Sequence, residues 1–313
     1  MKCRPLGVTG IEVSEISFGA GPVPALMTTA DGNPLQLETV RRAVEAGLNW
    51  FDTAATYGDG RSESSLGAAL RAVGADRSVY VATKARVNTG EPASLKDQVK
   101  ASVRGSLRRL GRDRITLLQL HNSITRNRGD QPTSITPNDV LGSGGILKAF
   151  AELQAEGLIE HFGLTGLGDA DALREVIGAG RWAAIQLCVD ILRPVPQLLS
   201  LCAERGIGVI AIRVLAGGAL AGQVPSTHTR TTKFFPLPVY EEDQIMAARL
   251  ASSLPDGLSL TEAAMRFVLS QKQISTALVG LASPEQVDQA IRWAEAGALS
   301  EELLQKLSCS GWS

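Results

Sequence analysis

Short apolar runs alternate with amphipathic stretches along the whole chain. Eight runs are rich in Val, Ile and Leu and lack a polar residue at every second position, at residues 15–20, 48–52, 79–84, 115–121, 159–165, 183–190, 207–213 and 275–281. Such runs are typical of strands in a parallel sheet that is covered on both faces. Helical spacing between the runs and after the last of them predicts helices over 36–47, 62–73, 94–111, 145–157, 169–180, 195–206, 260–271 and 283–295.

Glycine marks the end of many of these predicted helices, at Gly47, Gly74, Gly111, Gly157 and Gly206. Glycine is the usual residue just past a helix because it adopts the left-handed conformation freely. Eight strands that are each followed by a helix predict an α/β fold, a parallel (β/α)8 TIM barrel. We expect a single domain over residues 1–313, with an N-terminal β-hairpin and long loops after the fourth and seventh barrel strands.

An open doubly wound sheet is the competing topology. It would require G-x-G-x-x-G between the first strand and a helix. The stretch from Gly19 to Pro24 begins this pattern with Gly19 and Gly21, but two prolines interrupt it. The glycine-rich stretch 217–224 has no Lys-Ser/Thr pair after it and is therefore no P-loop. These departures favour the barrel.

Two connections are longer than usual, at 122–143 after the fourth strand and 214–240 after the seventh, the latter ahead of an extra helical stretch at 241–254. Both follow the carboxyl ends of strands, which is the face where such barrels place their sites. We expect the two loops to line the binding pocket, with four possible contributors: Trp50, Arg126, Arg128 and Phe234.

Composition excludes several classes of protein. The 313 residues carry a net charge of −1, which gives no electrostatic footprint for nucleic acid or an anionic membrane. No apolar run approaches the ~18–20 residues that span a bilayer, and the amino terminus lacks the apolar region of a signal peptide. The four cysteines are scattered without metal-ligand spacing. We therefore expect reduced thiols, a cytoplasmic location and no metal site.

Four chemically active side chains are predicted to meet at one end of the barrel. Asp52, Lys84 and His121 end or follow the second, third and fourth predicted strands, and Tyr57 lies in the loop after the second. Because neighbouring strands lie about 4.8 Å apart, these side chains should converge. One such residue alone would be explained by a structural role, but four that converge on the catalytic face favour a chemical role.

These residues carry a resemblance to the aldo-keto reductases. The stretch DTAATYGDGRSESSLG (52–67) resembles the family motif D-x-A-x-x-Y-G-x-G-x-S-E-x-x-L-G, and the similarity extends from 7–19 to 276–290. The resemblance implies a catalytic tetrad of Asp52, Tyr57, Lys84 and His121 on a (β/α)8 barrel. It further implies an NAD(P)(H)-dependent oxidoreductase that interconverts an aldehyde or ketone and its alcohol by direct hydride transfer, with Tyr57 as general acid and base.

Alternatives within the same family remain open. Some members are cofactor-binding regulatory subunits, such as the potassium-channel β-subunits, and an NAD-dependent sugar dehydrogenase is a further possibility. In each case the resemblance implies a small-molecule carbonyl or sugar partner, no nucleic acid or membrane, and a monomer or weak homo-oligomer.

The resemblance also implies cofactor contacts, with some departures. In the family a Ser-Asn pair and a Gln hold the nicotinamide amide, and this chain has Thr165-Gly166 and Gln186 there. An aromatic residue commonly stacks on the nicotinamide where this chain has Ile212. The next residue, Arg213, is expected to donate to phosphate oxygens.

The segment 280–290 resembles the family's adenosine-binding segment and contains no Lys or Arg between Gly280 and Gln289. NADP(H) is the usual partner in the family, and the resemblance therefore implies NADP(H). A ribose 2′-phosphate prefers a basic neighbour, so the missing Lys and Arg keep NAD(H) as the alternative. The remaining residues predicted to contact the cofactor are Gly21, Asp52, Leu215, Gly217, Gly280, Ser283, Gln286 and Gln289.

Overall fold

The computed structural model describes residues 1–29 and 33–309, and in it eight parallel strands close into a barrel. The barrel strands are β3 (Ile16–Gly19), β4 (Trp50–Asp52), β5 (Tyr80–Ala85), β6 (Ile115–Leu120), β7 (Ile159–Gly166), β8 (Ala184–Cys188), β9 (Gly208–Ile212) and β10 (Ile274–Gly280). Their order around the barrel is β10-β3-β4-β5-β6-β7-β8-β9. The predicted (β/α)8 fold is therefore confirmed.

An antiparallel hairpin of β1 (Cys3–Pro5) and β2 (Glu12–Ser14) precedes the barrel, as predicted. Residues of this hairpin pack with apolar residues from the starts of barrel strands in a small cluster. The cluster includes Leu6, Val13 and Trp50, which are fully buried. The hairpin thus closes the amino-terminal end of the barrel. The prediction that Trp50 contributes to the pocket was wrong, because this residue begins its strand at the closed end.

The helices surround the barrel. They are α1 (Pro34–Glu45), α2 (Arg61–Ala72), α3 (Leu95–Leu110), α4 (Pro137–Leu141), α5 (Ile146–Ala155), α6 (Ala170–Ala179), α7 (Pro196–Glu204), α8 (Thr227–Thr231), α9 (Leu237–Ala251), α10 (Leu260–Ser270), α11 (Pro284–Glu295) and α12 (Glu301–Cys309), with 3-10 helices at Leu26–Thr28 and Ala216–Ala221. The eight helices predicted between strands are present within a few residues of their predicted limits. The side chain of Cys309 lies outside the described part of the chain.

Both predicted long loops contain short helices that the apolar periodicity did not reveal. In the first loop, α4 begins with a capping box in which Thr136 and Asp139 bond to each other's backbone. In the second, the 3-10 helix at Ala216–Ala221 and the short α8 precede α9. Segments of this length bury too few residues to show a period of 3.6 in the sequence.

Strand register brings the polar strand ends to one face of the barrel. Asp52 pairs with Ala82, and two residues later on β5 Lys84 pairs with Gln119 of β6. Parallel strands point the same way, so the residues at their carboxyl ends share this face with the loops that follow. No helix in the described part of the chain is long and apolar enough to cross a membrane.

Candidate active site

A cavity of about 840 Å³ opens at the carboxyl-terminal end of the barrel. Its walls come from strand ends and from the loops that follow β3, β4, β5, β6, β7, β9 and β10. The second long loop contributes several residues between Val214 and Tyr240, whereas the first contributes only Pro132 and Thr133. The expectation that both long loops line the cavity thus holds mainly for the second.

A buried ion pair lies at the base of this cavity. The Lys84 ammonium donates to the Asp52 carboxylate, to the Thr53 carbonyl at 2.9 Å and to the Tyr57 hydroxyl at 3.4 Å. The side chains of Lys84 and Asp52 are 1% and 2% exposed. Burial disfavours the ammonium, but the neighbouring Asp52 charge and the Tyr57 hydroxyl outweigh it, and the pKa of Lys84 is raised. Lys84 is therefore a fixed positive charge in contact with the phenol oxygen.

Tyr57 is half-buried and faces the cavity. Besides the contact of its hydroxyl with Lys84, the ammonium nitrogen lies 4.9 Å from the centre of its ring. The ring meets His121 edge to face at 5.5 Å between centroids. The glycine-flanked loop after β4 thus folds the phenol over the ion pair, so Asp52, Tyr57, Lys84 and His121 do meet as the sequence predicts.

His121 directly follows β6 and lines the cavity beside Tyr57. Its Nδ1 lies 3.3 Å from the Thr56 hydroxyl, and its Nε2 has no hydrogen-bond partner in the described part of the chain. Burial, together with the positive charges of Lys84 and Arg86, holds the pKa of His121 well below its usual value. The imidazole is therefore neutral near pH 7 and can donate one hydrogen bond into the cavity.

Two glutamine amides complete the surroundings of Asp52. Gln119 donates to its Oδ2 at 3.0 Å and Gln186 donates to the same oxygen at 2.6 Å. Sequence reasoning missed Gln119, although a single amide side chain inside the mainly apolar run ITLLQL was a usable signal. These bonds fix the orientation of the carboxylate that holds Lys84.

The residues predicted to hold a nicotinamide amide lie on the cavity wall. Thr165 and Gln186 are neighbours in the register of β7 and β8, and both line the cavity with Ile212. The hydroxyl of Thr165 is buried and has no hydrogen-bond partner among the residues that the structure describes. A buried polar atom that lacks a partner is costly. This hydroxyl is therefore suited to a polar group of a ligand that enters the cavity.

Most of the other predicted cofactor residues also line the cavity, and two do not. The Ser283 hydroxyl caps α11 by accepting from the backbone N–H of Gln286, so it is used within the helix. Gln289 lies past the first turn of α11 and is exposed. Those on the lining are Gly21, Asp52, Arg213, Leu215, Gly217, Gly280 and Gln286.

Arg213 is already engaged by the protein. Its guanidinium donates to the buried Asp243 carboxylate at 3.1 Å and stacks on the Phe235 ring at 4.0 Å. Asp243 also pairs with Arg193. The backbone of Arg213 has a φ of 55°, which bulky residues rarely adopt. One edge of the guanidinium is thus committed to Asp243, and any phosphate would meet the remaining donors.

Two arginines that were predicted as possible pocket residues lie elsewhere. Arg126 pairs with Glu175 on α6 at 3.2 Å, and Arg128 pairs with Asp139 on α4. Both predictions were wrong because nearby carboxylates hold these side chains against the helices. Phe234 does line the cavity, together with Arg86, which sequence reasoning missed. The described part of the chain has no group of three or more His, Cys, Asp or Glu side chains that could hold a metal ion.

The barrel and its polar cavity agree with the comparisons with known proteins. A sequence model of the aldo/keto reductase family matches residues 18–308, and the chain therefore belongs to that family. The resemblance drawn from the tetrad is thus confirmed. Members of this family bind nicotinamide cofactors, and the known relatives of this chain include dehydrogenases and reductases.

Two relatives and one solved structure show how similar this chain is to known members of the family. L-galactose dehydrogenase of Arabidopsis thaliana is 30% identical over 318 aligned residues, which cover 98% of this chain and 93% of that protein. NADH-specific methylglyoxal reductase of Escherichia coli is 28% identical, over 92% of this chain and 91% of that one. The holo structure of an aldo-keto reductase from Bacillus halodurans superposes with a TM-score of 0.75 at 26% identity, over 98% of this chain and 95% of that chain.

Proposed function

We propose that this protein is an NAD(P)(H)-dependent aldo-keto reductase that interconverts an aldehyde or ketone and its alcohol, with Tyr57 as the general acid and base. The observation that carries the proposal is the position of the Lys84 ammonium. It contacts Asp52 on one side and the Tyr57 hydroxyl on the other, at the wall of the cavity. A small-molecule substrate and a monomer or weak homo-oligomer belong to the same proposal.

Each of the four side chains has its own role in the proposed reaction. In reduction, the Tyr57 hydroxyl gives its proton to the carbonyl oxygen as negative charge develops there. The adjacent Lys84 ammonium stabilises the negative charge that remains on the phenol oxygen, and Asp52 keeps that ammonium in place. Neutral His121 donates a hydrogen bond towards the same substrate oxygen. In oxidation, Tyr57 takes the proton back.

A nicotinamide cofactor supplies or accepts the hydride when it is bound, and the residues of the cavity fit such a group. The unpartnered Thr165 hydroxyl and the Gln186 side chain would hold its carboxamide, and Ile212 would pack on the ring. Glycines at 217, 218 and 280 line the cavity without side chains that would obstruct a bound nucleotide. The remaining donors of Arg213 would meet a phosphate.

A second experiment tests which nucleotide the protein binds, NADP(H) or NAD(H). NADP(H) follows from the family resemblance, whereas the absence of Lys and Arg between Gly280 and Gln289 favours NAD(H). The name of the Escherichia coli relative, an NADH-specific reductase, supports the same alternative. A thermal-shift comparison decides between them, because a ligand that binds the native state raises its stability in proportion to RT ln(1 + [L]/Kd).

The experiment that tests the function is Tyr57→Phe, assayed with 4-nitrobenzaldehyde and each reduced nucleotide. We expect the variant to lose ~10²–10⁴-fold in kcat, the usual contribution of general acid catalysis, while its thermal shift with the nucleotide is kept. Tyr80→Phe is the matched control, since Tyr80 begins β5 at the opposite end of the barrel. A fully active Tyr57→Phe protein contradicts the assignment. Wild-type protein that binds nucleotide but reduces no aldehyde would instead support the regulatory-subunit alternative.

A further inference from the structure

Arg86 is a cationic side chain of the cavity that the proposed catalytic step does not use. It directly follows β5, two residues after Lys84, and is half-buried. Its Nε donates to the His121 carbonyl at 3.2 Å, and its guanidinium carbon lies 4.7 Å from the centre of the Phe234 ring. These contacts hold the guanidinium between the barrel rim and the second long loop. Its two terminal amino groups have no hydrogen-bond partner in the described part of the chain.

Arg86 also has no carboxylate partner in the described part of the chain, and in this it differs from Lys84 and Arg213. Asp52 is paired with Lys84, and Arg213 is paired with Asp243. No Asp or Glu in the described part of the chain lies within ion-pair distance of Arg86. Burial, which disfavours the charged form, lowers the pKa of Arg86. A half-buried, oriented and unpaired guanidinium is suited to an anionic ligand, since its fork matches carboxylate and phosphate oxygens.

Topology separates this charge from the residues proposed for the cofactor phosphates. In the closed strand order, β5 and β9 are four strands apart in either direction, so Arg86 and Arg213 stand on opposite sides of the barrel mouth. Arg86 is on the side of the tetrad. Its Nε donates to the carbonyl of His121, and its positive charge helps to hold the pKa of that residue below its usual value. An anion bound by Arg86 would therefore lie beside the groups that act on the carbonyl.

We propose that Arg86 is the specificity-determining residue of this site, and that the preferred substrate is an aldehyde or ketone that carries a carboxylate or phosphate group. This inference rests on the proposed function. The guanidinium binds the anionic group with its terminal amino groups, while Phe234 and the His121 carbonyl keep it oriented. The carbonyl end of the same molecule is then directed to Tyr57.

The test compares an aldehyde that carries a carboxylate with the neutral methyl ester of the same compound. We would measure kcat/KM for 4-carboxybenzaldehyde and for methyl 4-formylbenzoate with wild-type protein and with Arg86→Gln. The expected result is a wild-type preference for the carboxylate, and a fall of about tenfold or more in the ratio of the two values in the variant, mainly through KM for the carboxylate. Using the ratio within one protein cancels any general damage to the active site.

Two further variants sharpen the result. Arg86→Lys keeps the charge but not the fork, so the ratio should fall less than in Arg86→Gln. Arg126→Gln is the matched control, because it removes an arginine that pairs with Glu175 outside the cavity, and its ratio should equal that of the wild type. The pair of glyceraldehyde 3-phosphate and glyceraldehyde, measured in the same way, tells whether phosphate or carboxylate is preferred.

Failure of this inference can be distinguished from failure of the proposed function. If Arg86→Gln leaves the ratio unchanged for both pairs, Arg86 does not select substrates and the inference is overturned while the function stands. If no aldehyde is turned over, the function fails, and binding of 4-(hydroxymethyl)benzoate, measured by calorimetry, tests the anion site directly. Binding that is lost in Arg86→Gln and kept in Arg126→Gln supports the site, and equal binding by all three proteins overturns it.

Discussion

Removing the buried ammonium gives the most direct test of the site, and Lys84→Met does so with little change in volume. Asp52 keeps its bonds from Gln119 and Gln186 in this variant but loses its only counter-charge in the described part of the chain. Breaking a buried ion pair by removing one partner costs about 3–5 kcal/mol, because the other charge stays buried and uncompensated. We therefore expect a large loss of stability as well as a loss of turnover.

The size of the effect on melting temperature follows from chain length. At about 2.1 cal/mol/K of unfolding entropy per residue, 313 residues give about 0.66 kcal/mol/K, so the loss lowers Tm by about 5–8 °C. The assay is differential scanning calorimetry at one scan rate and pH 7. Asp52→Asn should cause a similar loss, because it leaves the ammonium with only neutral oxygens from Thr53 and Tyr57.

The double variant Asp52→Asn/Lys84→Met tests whether the two charges are coupled. Because neither charge remains, its loss of Tm should be clearly smaller than the two single losses added together, by the logic of a double-mutant cycle. Tyr80→Phe, which is remote from the pair, serves as a control for substitution in the barrel. A Lys84→Met protein that melts within ~1 °C of the wild type, or a double variant whose loss equals the added single losses, would show that the two charges are not coupled as described.

Three further predictions concern the same cavity. His121 has a pKa depressed by burial and by neighbouring positive charges, so it contributes stability above its unfolded pKa of 6.5 that is lost as the pH falls. His121→Asn should therefore lose less stability than the wild type between pH 6.5 and about pH 5, and parallel melting curves in the two proteins would argue against a neutral buried imidazole. Thr165→Val removes a buried hydroxyl that has no partner within residues 1–29 and 33–309, so it should weaken nucleotide binding about 3- to 10-fold with little loss of Tm. An unchanged Kd, measured by fluorescence titration, would exclude Thr165 from the nicotinamide site. Burial raises the pKa of Cys188 to about 12 and that of Cys202 to about 11. Iodoacetamide at pH 8 should therefore label neither thiol in the native protein, as measured by peptide mass spectrometry. Rapid labelling of Cys188 would contradict its raised pKa.

The barrel could be predicted because its signal is distributed over the whole chain. Each of the eight strands is a separate apolar run, and each helix has its own periodicity and frequently a terminal glycine, so no single misjudged segment changes the fold class. The helical turns at Pro137–Leu141 and Thr227–Thr231 could not be found in this way. Their helical form depends on local caps and on packing against neighbouring elements.

The tetrad was predictable for a related reason. Asp52, Lys84 and His121 sit at the ends of consecutive strands, and parallel register alone brings strand ends together. Only the return of Tyr57 over the ion pair needed more than register, and the glycines around it made a tight loop expected. Gln119 was missed because its amide is neutral, and the sequence does not show that this amide donates to the Asp52 carboxylate.

The arginines mark the limit of sequence reasoning. Sequence alone singled out Arg126 and Arg128, because they lie in a long loop on the catalytic face, and passed over Arg86 at the end of a strand. What distinguishes the three is whether a carboxylate is close: Glu175 and Asp139 neutralise the first two, at 49 and 11 residues along the chain, while Arg86 has no such partner in the described part of the chain. The absence of a partner is a property of the folded surroundings, since 32 acidic residues are available in the sequence and only packing decides which of them come near. A guanidinium left unpaired in a catalytic cavity therefore becomes visible only once the structure is known, and its charge is then available to a substrate.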